Sequence, residues 1–424
     1  MRIEKNTARL LEAAQRETDN FRESYTLLTG DRVVCKSKAE YDFWATLCES
    51  LKSGKVTARE CGIRPLFESL VADGREAVDS WNPQFGGSGS VDTVALREAD
   101  PVGYANFARV YGQIAYSAVM ETYNKPDFVF SAMIRSIPTG FSGEKIPGVS
   151  RLGDQNTTVN ENGEYPRAGI SQDWIDTPVT TKRGTIVEWT KEAIFFNGSY
   201  SGVQLPIIER LNQVGEELAY NKEVRIIDAL VDENTTVHRY NRLGRGAVAN
   251  YGENSGSHDW DNLEASNALV DWTDINAARL LLLAMLDPNT GQPISLNLGT
   301  PTLVCTQQLD MTAYYIQTMT GFTLSNPGFA TTGNPIQTQA PSPLPRFNVA
   351  TSPLLATRMA TDTSWFYGAP EKALAYMENW PITVVQRPAN SDAEFERDVI
   401  GGVKASERGQ VIVREPRYMV KCTA

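Results

Sequence analysis

Two histidines, His238 and His258, are the only imidazoles in 424 residues, so base chemistry near neutral pH would have to begin with one of them. Both sit in polar stretches and read as ordinary surface histidines. Neither belongs to an HExxH pair, and HDWDN at 258–262 lacks the glycine and the terminal glutamate of a calcium loop. Asp228, Asp232 and Glu233 could in principle meet a metal, but together they read as the solvated end of a helix. The glycines at 244, 246 and 252 in LGRGAVANYG do not make GxGxxG, and neither GxxxxGK[ST] nor GxSxG occurs. Cys35, Cys48, Cys61, Cys305 and Cys422 form no CxxC pair and have no histidine beside them. They read as free, buried thiols in a reducing compartment. The densest basic runs are TKRG at 181–184 and HRYNRLGR at 238–245. Both read as exposed loops, the second salt-bridged to an acidic neighbour. No catalytic, cofactor-binding or metal-ligating residue follows from these patterns, and an enzyme is not expected.

The elements that would have to position such groups are unusual instead. Gly140 to Gly184 is almost entirely polar or glycine, with five basic and six acidic side chains and scattered apolar residues such as Ile146, Val149 and Trp174. A connection this long is disordered, a lid, or an arm that grips a neighbour, and its nearly balanced charge argues against disorder. It runs into the longest helical pattern of the chain, at 201–232. There Leu205, Ile208, Leu211, Val214, Leu218, Ile226, Ile227 and Leu230 recur near a 3.6 period, with Glu209, Arg210, Glu216, Glu217, Lys222 and Arg225 between them. Such a helix is a spine.

Size and charge bound the rest. The length supports roughly two or three domains. A net charge of −11, from 40 Lys plus Arg against 51 Asp plus Glu, opposes sequence-reading contact with nucleic acid but not enclosure of it. The N-terminus has no signal-peptide core, and Leu280 to Leu286, the most apolar run, is far short of the ~20 residues of a membrane span. Cytoplasmic folding is expected, which makes the N-x-S/T matches at Asn156, Asn197 and Asn234 chance.

Along the chain, capping boxes at Ser37/Glu40 and Thr57/Glu60 predict two N-terminal helices, the first with Tyr41, Trp44, Cys48 and Leu51 on one face. Residues 74–89 read as linker. A helix follows Asp100-Pro101 with Phe107, Val110, Tyr111, Ile114, Ala118 and Val119 inward. Val129 to Ile137 is predicted as a strand, as is the alternating stretch from Thr185 to Thr190, with KEAIFF a short helix after it. Residues 244–267 and 320–352 read as surface excursions. Asp274 is expected to cap INAARLLLLAML, which stops at DPNTG. Thr302 to Cys305 is a short buried strand, and 309–317 a helix. ITVVQRP, EFERDVIGG and QVIVREPRYMVK give three late strands. Together these predict an α+β fold rather than a doubly wound sheet.

This order resembles the HK97-type major capsid protein of tailed bacteriophages over about residues 103–424. The resemblance rests on the long loop, on EWTKEAIFFNG at 188–198, the spine, LLLLAMLDPNTGQPISLNLGTPTLVCTQQL at 280–309, and the closing segment at 379–421. It implies a helical N-terminal arm (1–139), an extended loop (140–184), and a peripheral domain built on the spine (185–239) and closing strands (376–424). An axial domain (240–375) completes the plan. It further implies many copies in hexamers and pentamers, a portal protein, a scaffolding or decoration protein, and double-stranded DNA enclosed without sequence-specific binding. The place would be the virion, after assembly in the host cytoplasm, with no membrane. Ile146, Val149 and Trp174 are expected to lie across an adjacent copy's peripheral domain. Some relatives cross-link a loop lysine, but Lys145 and Lys182 have no motif around them and read as ordinary surface lysines. Relatives also trim an N-terminal segment; a chain running from Met1 to Ala424 implies none was removed here, and leaves open whether residues 1–100 scaffold or wrap. The competing readings are an encapsulin-like nanocompartment shell, which shares the fold, and a soluble enzyme with residues 140–184 as a lid over a pocket.

Overall fold

The computed structural model describes residues 23–35, 38–56, 66, 70, 101–124, 128–147, 158–161, 163–165, 174–190, 207–233, 239–242, 246–253, 260–286, 293, 298–318, 346–387 and 399–424. The cap at Ser37, the Thr57/Glu60 helix apart from 66 and 70, the linker at 74–89, KEAIFF, the DPNTG turn and 320–345 lie outside them; at the end of the stretch read as a surface excursion, Asn348–Thr351 is instead a strand, because it pairs with Thr302–Cys305. In chain order the helices are α1 (Lys38–Lys52), α2 (Pro101–Tyr123), α3 (Val129–Met133), α4 (Ile207–Val231), α5 (Trp272–Ala284), α6 (Gln307–Thr318), α7 (Pro353–Arg358) and α8 (Pro370–Ala373). With the sheets described below they make the α+β chain that the pattern predicts.

The chain divides into two compact units. The first comprises Met1–Lys125, Lys182–Tyr220 and Trp380–Glu407. Its core is built from the faces that periodicity marks. Trp44, Cys48 and Leu51 of α1 are buried with Tyr41 packed against them, and Val110, Tyr111, Ile114, Ala118 and Val119 of α2 face the same cluster. The Tyr111 ring meets Trp189 edge-on at 4.8 Å. A hairpin of Ser24–Thr26 and Arg32–Val34 closes one end. There the Gln113 side chain accepts the Leu28 N–H at 2.7 Å and donates to the Thr29 hydroxyl at 3.1 Å.

The second unit comprises Pro126–Thr181, Asn221–Asn379 and Arg408–Ala424. It holds a five-stranded sheet in the order Asn348–Thr351, Thr302–Cys305, Trp365–Gly368, Met419–Cys422, Leu263–Glu264. Its three central strands are buried on both faces. Leu303, Cys305, Trp365, Tyr367, Val420 and Cys422 pack under α5 and α6, whereas Val304, Phe366 and Met419 join a second cluster with Ile226, Ile227 and Leu230 of α4. Period-two alternation thus serves two layers of helix, as in any sheet covered on both sides.

A further sheet runs Ser136–Pro138, Leu374–Gln386, Val399–Val413, Thr181–Thr190. Two late strands predicted separately, EFERDVIGG and QVIVREPRYMVK, meet in the single strand Val399–Val413. The polar KASERGQ between them reads as a break, yet it is zipped between neighbours on both sides, and pairing overrides propensity there.

Three more expectations need correcting. Val129–Met133 is a helix, and only Ser136–Pro138 is strand; a short apolar run does not distinguish the two by period, and the decisive partner comes from α4. The N-cap of α5 is Asp271, whose carboxylate accepts the Thr273 N–H at 2.7 Å, while Asp274 sits at N3 and reaches back to close the box. The third concerns 244–267, parts of which are interior. Asn250, Trp260 and Asn262 are buried. The Asn262 amide donates to the carbonyls of Asn250, Pro416 and Met419 and accepts the Gly252 N–H. Composition marks Asn as loop-forming because its side chain competes with backbone partners, and here that ability holds irregular chain inside the fold.

Candidate assembly surfaces

Residues 140–184 are pinned at their root to their own chain. Lys145–Pro147 pairs with Trp174–Asp176, Ile146 opposite Ile175; that strand pairs with Tyr240–Arg242, and Tyr240–Arg242 with Gly246–Val248. The Asn379 amide donates to the carbonyls of Thr139 and Phe141 at 3.1 and 2.9 Å, and the Thr177 hydroxyl both donates to the Glu144 carbonyl and accepts its N–H. Ile175 and Thr180 are buried, at 1% and 3% exposure, and Ile146 packs half-buried on the same subunit's core. Ile146, expected across an adjacent copy, packs on the core of its own chain. Trp174 is half-buried with the Lys145 ammonium 4.6 Å from its ring centroid, and Val149 lies outside the described residues. Farther out, the Gly163 N–H donates to the Asn160 carbonyl at 2.8 Å in a turn beside Tyr165, which is 79% exposed.

The other lysine of the segment, Lys182, lies in Thr181–Thr190. The run TKRG is therefore exposed strand, not loop, because Thr181–Thr190 pairs with Val399–Val413, Gly184 lying against Ala405 and Ser406. A charged strand at a sheet margin resists unplanned pairing. His238, His258 and Cys61 lie outside the described residues.

Asp228, Asp232 and Glu233 come together at the end of α4, but not as a solvated helix end. Asp228 accepts from two guanidinium nitrogens of Arg358, Nε and Nη2, and the Lys421 ammonium contacts Glu233 at 3.2 Å and the Val231 carbonyl at 3.1 Å. Asp232 is buried at φ 51° and accepts the Asn250 N–H, with Arg239 3.6 Å away. The basic run around 239 thus meets its acid within the chain. Among the described residues no group of three or more His, Cys, Asp or Glu could hold a metal ion.

Burial is the main cause that raises the Asp232 pKa, against the lowering effects of the Asn250 N–H, Arg239 and Lys421. A carboxyl raised on folding stabilises fully below its unfolded pKa, and that contribution is lost as pH rises through the folded value. Asp232→Asn keeps an acceptor for Asn250 and tolerates positive φ. The variant is expected to match the parent in thermal unfolding near pH 3.5 and to exceed it at pH 7; a parent more stable at pH 7 would contradict this. The buried thiols offer a second check. Burial pushes Cys305 and Cys422 up to about 12, and also raises Cys35 and Cys48. In a Cys61→Ser background a thiol reagent at pH 8 should label no cysteine of the native protein, and all four after unfolding.

An 820 Å³ cavity in the first unit is lined by Leu27, Leu51, Val56, Tyr116 and Met120, with Lys52 and Glu121 beside them. None of its lining comes from 140–184, whereas the enzyme reading needs a pocket under that segment. No described helix is long and apolar enough to cross a membrane.

What the chain does present is apolar surface on regular elements. Leu280 and Leu283 of α5 and Met311, Tyr314 and Tyr315 of α6 are exposed. A model of the phage capsid protein family matches residues 175–422, a span that includes both helices, the spine and the closing strands. The chain belongs to that family. As a phage capsid protein it is a shell subunit of the virion. No curated protein matches it. Among solved structures, it is similar to that of Gordonia phage Cozz, at 14% identity over 70% of this chain and 87% of that one, with a TM-score of 0.38. The capsid of cyanophage P-SCSP1u is similar at 14% identity over 69% and 86%, TM-score 0.39. An encapsulin complex from Synechococcus elongatus is similar at 12% over 70% and 87%, TM-score 0.37.

The sequence reading missed the exposed helix faces of this capsid protein. Their signal was Leu280 to Leu283, four leucines in a row on a helix that can bury only one side.

Proposed function

We propose that this chain is the major capsid protein of a tailed bacteriophage, assembling as pentamers and hexamers into an icosahedral head around double-stranded DNA. The family match over 175–422 carries the reading. The arm, loop, spine and axial plan fits it: residues 1–139 as arm, 140–184 as extended loop, 185–239 with 376–424 as peripheral domain, and 240–375 as axial domain. The 25-residue α4, about 37 Å long, supports the spine. The polar turn at 160–163, with Tyr165 exposed, supports a loop whose outer part reaches a neighbour. A net charge of −11 supports holding DNA without gripping it. Assembly takes place in the host cytoplasm, with a portal protein at one vertex and a scaffolding or decoration protein as further partners.

Electron microscopy of the expressed protein tests this. Rings or closed shells of megadalton size are expected, and nuclease-protected DNA in particles from infected cells. Stable monomers alone would sink the shell reading, and a packaged enzyme in place of DNA would favour the nanocompartment.

A further inference from the structure

The strand Ser136–Pro138 pairs in parallel with Leu374–Gln386, and the pairing runs out where the Thr139 N–H meets the Glu378 carbonyl at 2.9 Å. At the next residue a side chain takes over. The Asn379 amide donates to the carbonyls of Thr139 and Phe141, which spends both of its hydrogens, while its Oδ1 is buried without a hydrogen bond. An orphaned acceptor is a cost, so the two donated bonds are what keep this side chain where it is.

Two different forces act on the root of 140–184. Ile137 and Ile146 lie over Ala375, Met377 and Ile412, on the face of the sheet opposite α4. Apolar contact of this kind holds the root down but has no direction. The turn beyond it is not held by burial, since Phe141 and Val179 are 69 and 66% exposed. Hydrogen bonds give it its shape. The Thr139 hydroxyl accepts the Phe141 N–H at 3.2 Å and donates to the Glu144 carboxylate at 2.6 Å, and Gly143 supplies a φ of 78°. The returning chain is fastened through Arg408, whose Nε donates to the Thr180 hydroxyl at 3.1 Å; that hydroxyl donates to Ser142 at 3.3 Å. The root strands are otherwise joined to Tyr240–Arg242 through one residue pair, Ile175 and Arg242.

We propose that Asn379 is a latch that sets the direction in which residues 140–184 leave the fold, and that copies need this direction fixed in order to assemble; the second part rests on the shell reading above. Asparagine suits the task by its hydrogens. Serine offers one and aspartate none, so neither can hold two carbonyls at once. A preset root also favours association, because a root ordered only on contact would set its entropy against the binding.

The test joins hydrogen exchange on unassembled full-length protein to electron microscopy of assembled material, for wild type and Asn379→Asp. Aspartate keeps the size of the side chain and turns only oxygens toward the two carbonyls. The amides of Phe141, Glu144 and Thr177 are expected to exchange about tenfold faster in the variant, as for local opening that has lost a bond or two. Those of Thr302–Cys305 and Trp365–Gly368 should not change, and closed shells should become scarce or uneven in diameter. If Asn379→Asp fails to fold, Asn379→Ala replaces it, removing the donors without adding a charge, with the same pattern expected. Unchanged exchange at the three root amides would overturn the latch. Faster exchange in the central strands as well would mark a general loss of stability and overturn it too. Faster exchange at the root alone, with normal shells, would overturn the need for a fixed direction. Wild type that forms no shells would sink the shell reading and the assembly part with it, and the exchange result would still decide the latch.

Discussion

Glu223→Ala is expected to lower the free energy of unfolding by about 3–5 kcal/mol, judging from the cost of stranding several buried donors. The Glu223 side chain has no solvent contact. Its carboxylate accepts the backbone N–H groups of Phe130 and Ser131 at 2.8 and 2.7 Å and the Ser131 hydroxyl at 2.6 Å. Those N–H groups open α3, whose N-cap residue Phe128 gives no side-chain hydrogen bond. A helix needs acceptors at its first turn, and here the acceptor arrives from α4, more than ninety positions later. Alanine would leave two backbone donors and a hydroxyl unpaired in the interior. Glutamine would keep one acceptor but aim an NH₂ at donors, so about half the loss is expected. Ser131→Ala, which removes one donor and leaves the acceptor, should cost only about 1 kcal/mol. Chemical denaturation of the three variants gives the ranking, and hydrogen exchange should quicken at 129–134 in Glu223→Ala. Equal stabilities for Glu223→Ala and Ser131→Ala would refute the capping role.

The same residue shows where reading the sequence stops. The apolar positions of α4 were legible because they repeat: Leu211, Leu218, Ile226, Ile227 and Leu230 are buried where the period puts them. Glu223 lies in the polar company of Lys222 and Arg225, and nothing in a periodic pattern separates a buried carboxylate from a solvated one. Its burial depends on Phe130 and Ser131, which another stretch supplies. For the same reason Val129–Met133 reads as strand until its cap is known. Asp232, read as a solvated helix end, and the asparagines at 250 and 262, read as surface loop, fail alike: short polar side chains predict exposure, and only the strands and turns around them show that they lie inside.

The candidate surface had the opposite difficulty. Leu280 to Leu286 is conspicuous as composition, and its length excludes a membrane span. A helix turns each successive leucine by about 100°, so a run of four must put some outside whatever the core takes. Leu282 is 2% exposed and Leu280 56%. That part of the run must lie outside the core was available from geometry alone. Which part was not, because the sheet that fixes the inner side is assembled from strands scattered between Leu263 and Cys422.

Gly215→Ile is expected to destabilise the first unit by about 3 kcal/mol or more, and Gly215→Ala by about 1–2 kcal/mol, from the cost of overpacking less the helix propensity that alanine restores. A β-carbon at Gly215 would sit 2.3 Å from the Val119 carbonyl oxygen and 2.3 Å from the Thr122 hydroxyl oxygen. Thr122 is buried, and that hydroxyl donates to the Asn212 carbonyl at 2.9 Å, so α2 and α4 touch backbone to backbone at this point. A flexible side chain could swing aside, but a carbonyl held in a helix cannot. Glycine inside a helix ordinarily costs about 1 kcal/mol against alanine, so an exposed Gly→Ala change stabilises. Here the sign is expected to reverse. Thr122→Ala separates the two contacts: in the double variant Thr122→Ala/Gly215→Ala the hydroxyl clash is gone and the carbonyl clash remains, so part of the loss should return and part persist. Full recovery would assign the close approach to the threonine alone, and a Gly215→Ala protein more stable than its parent would show that the helices part without cost.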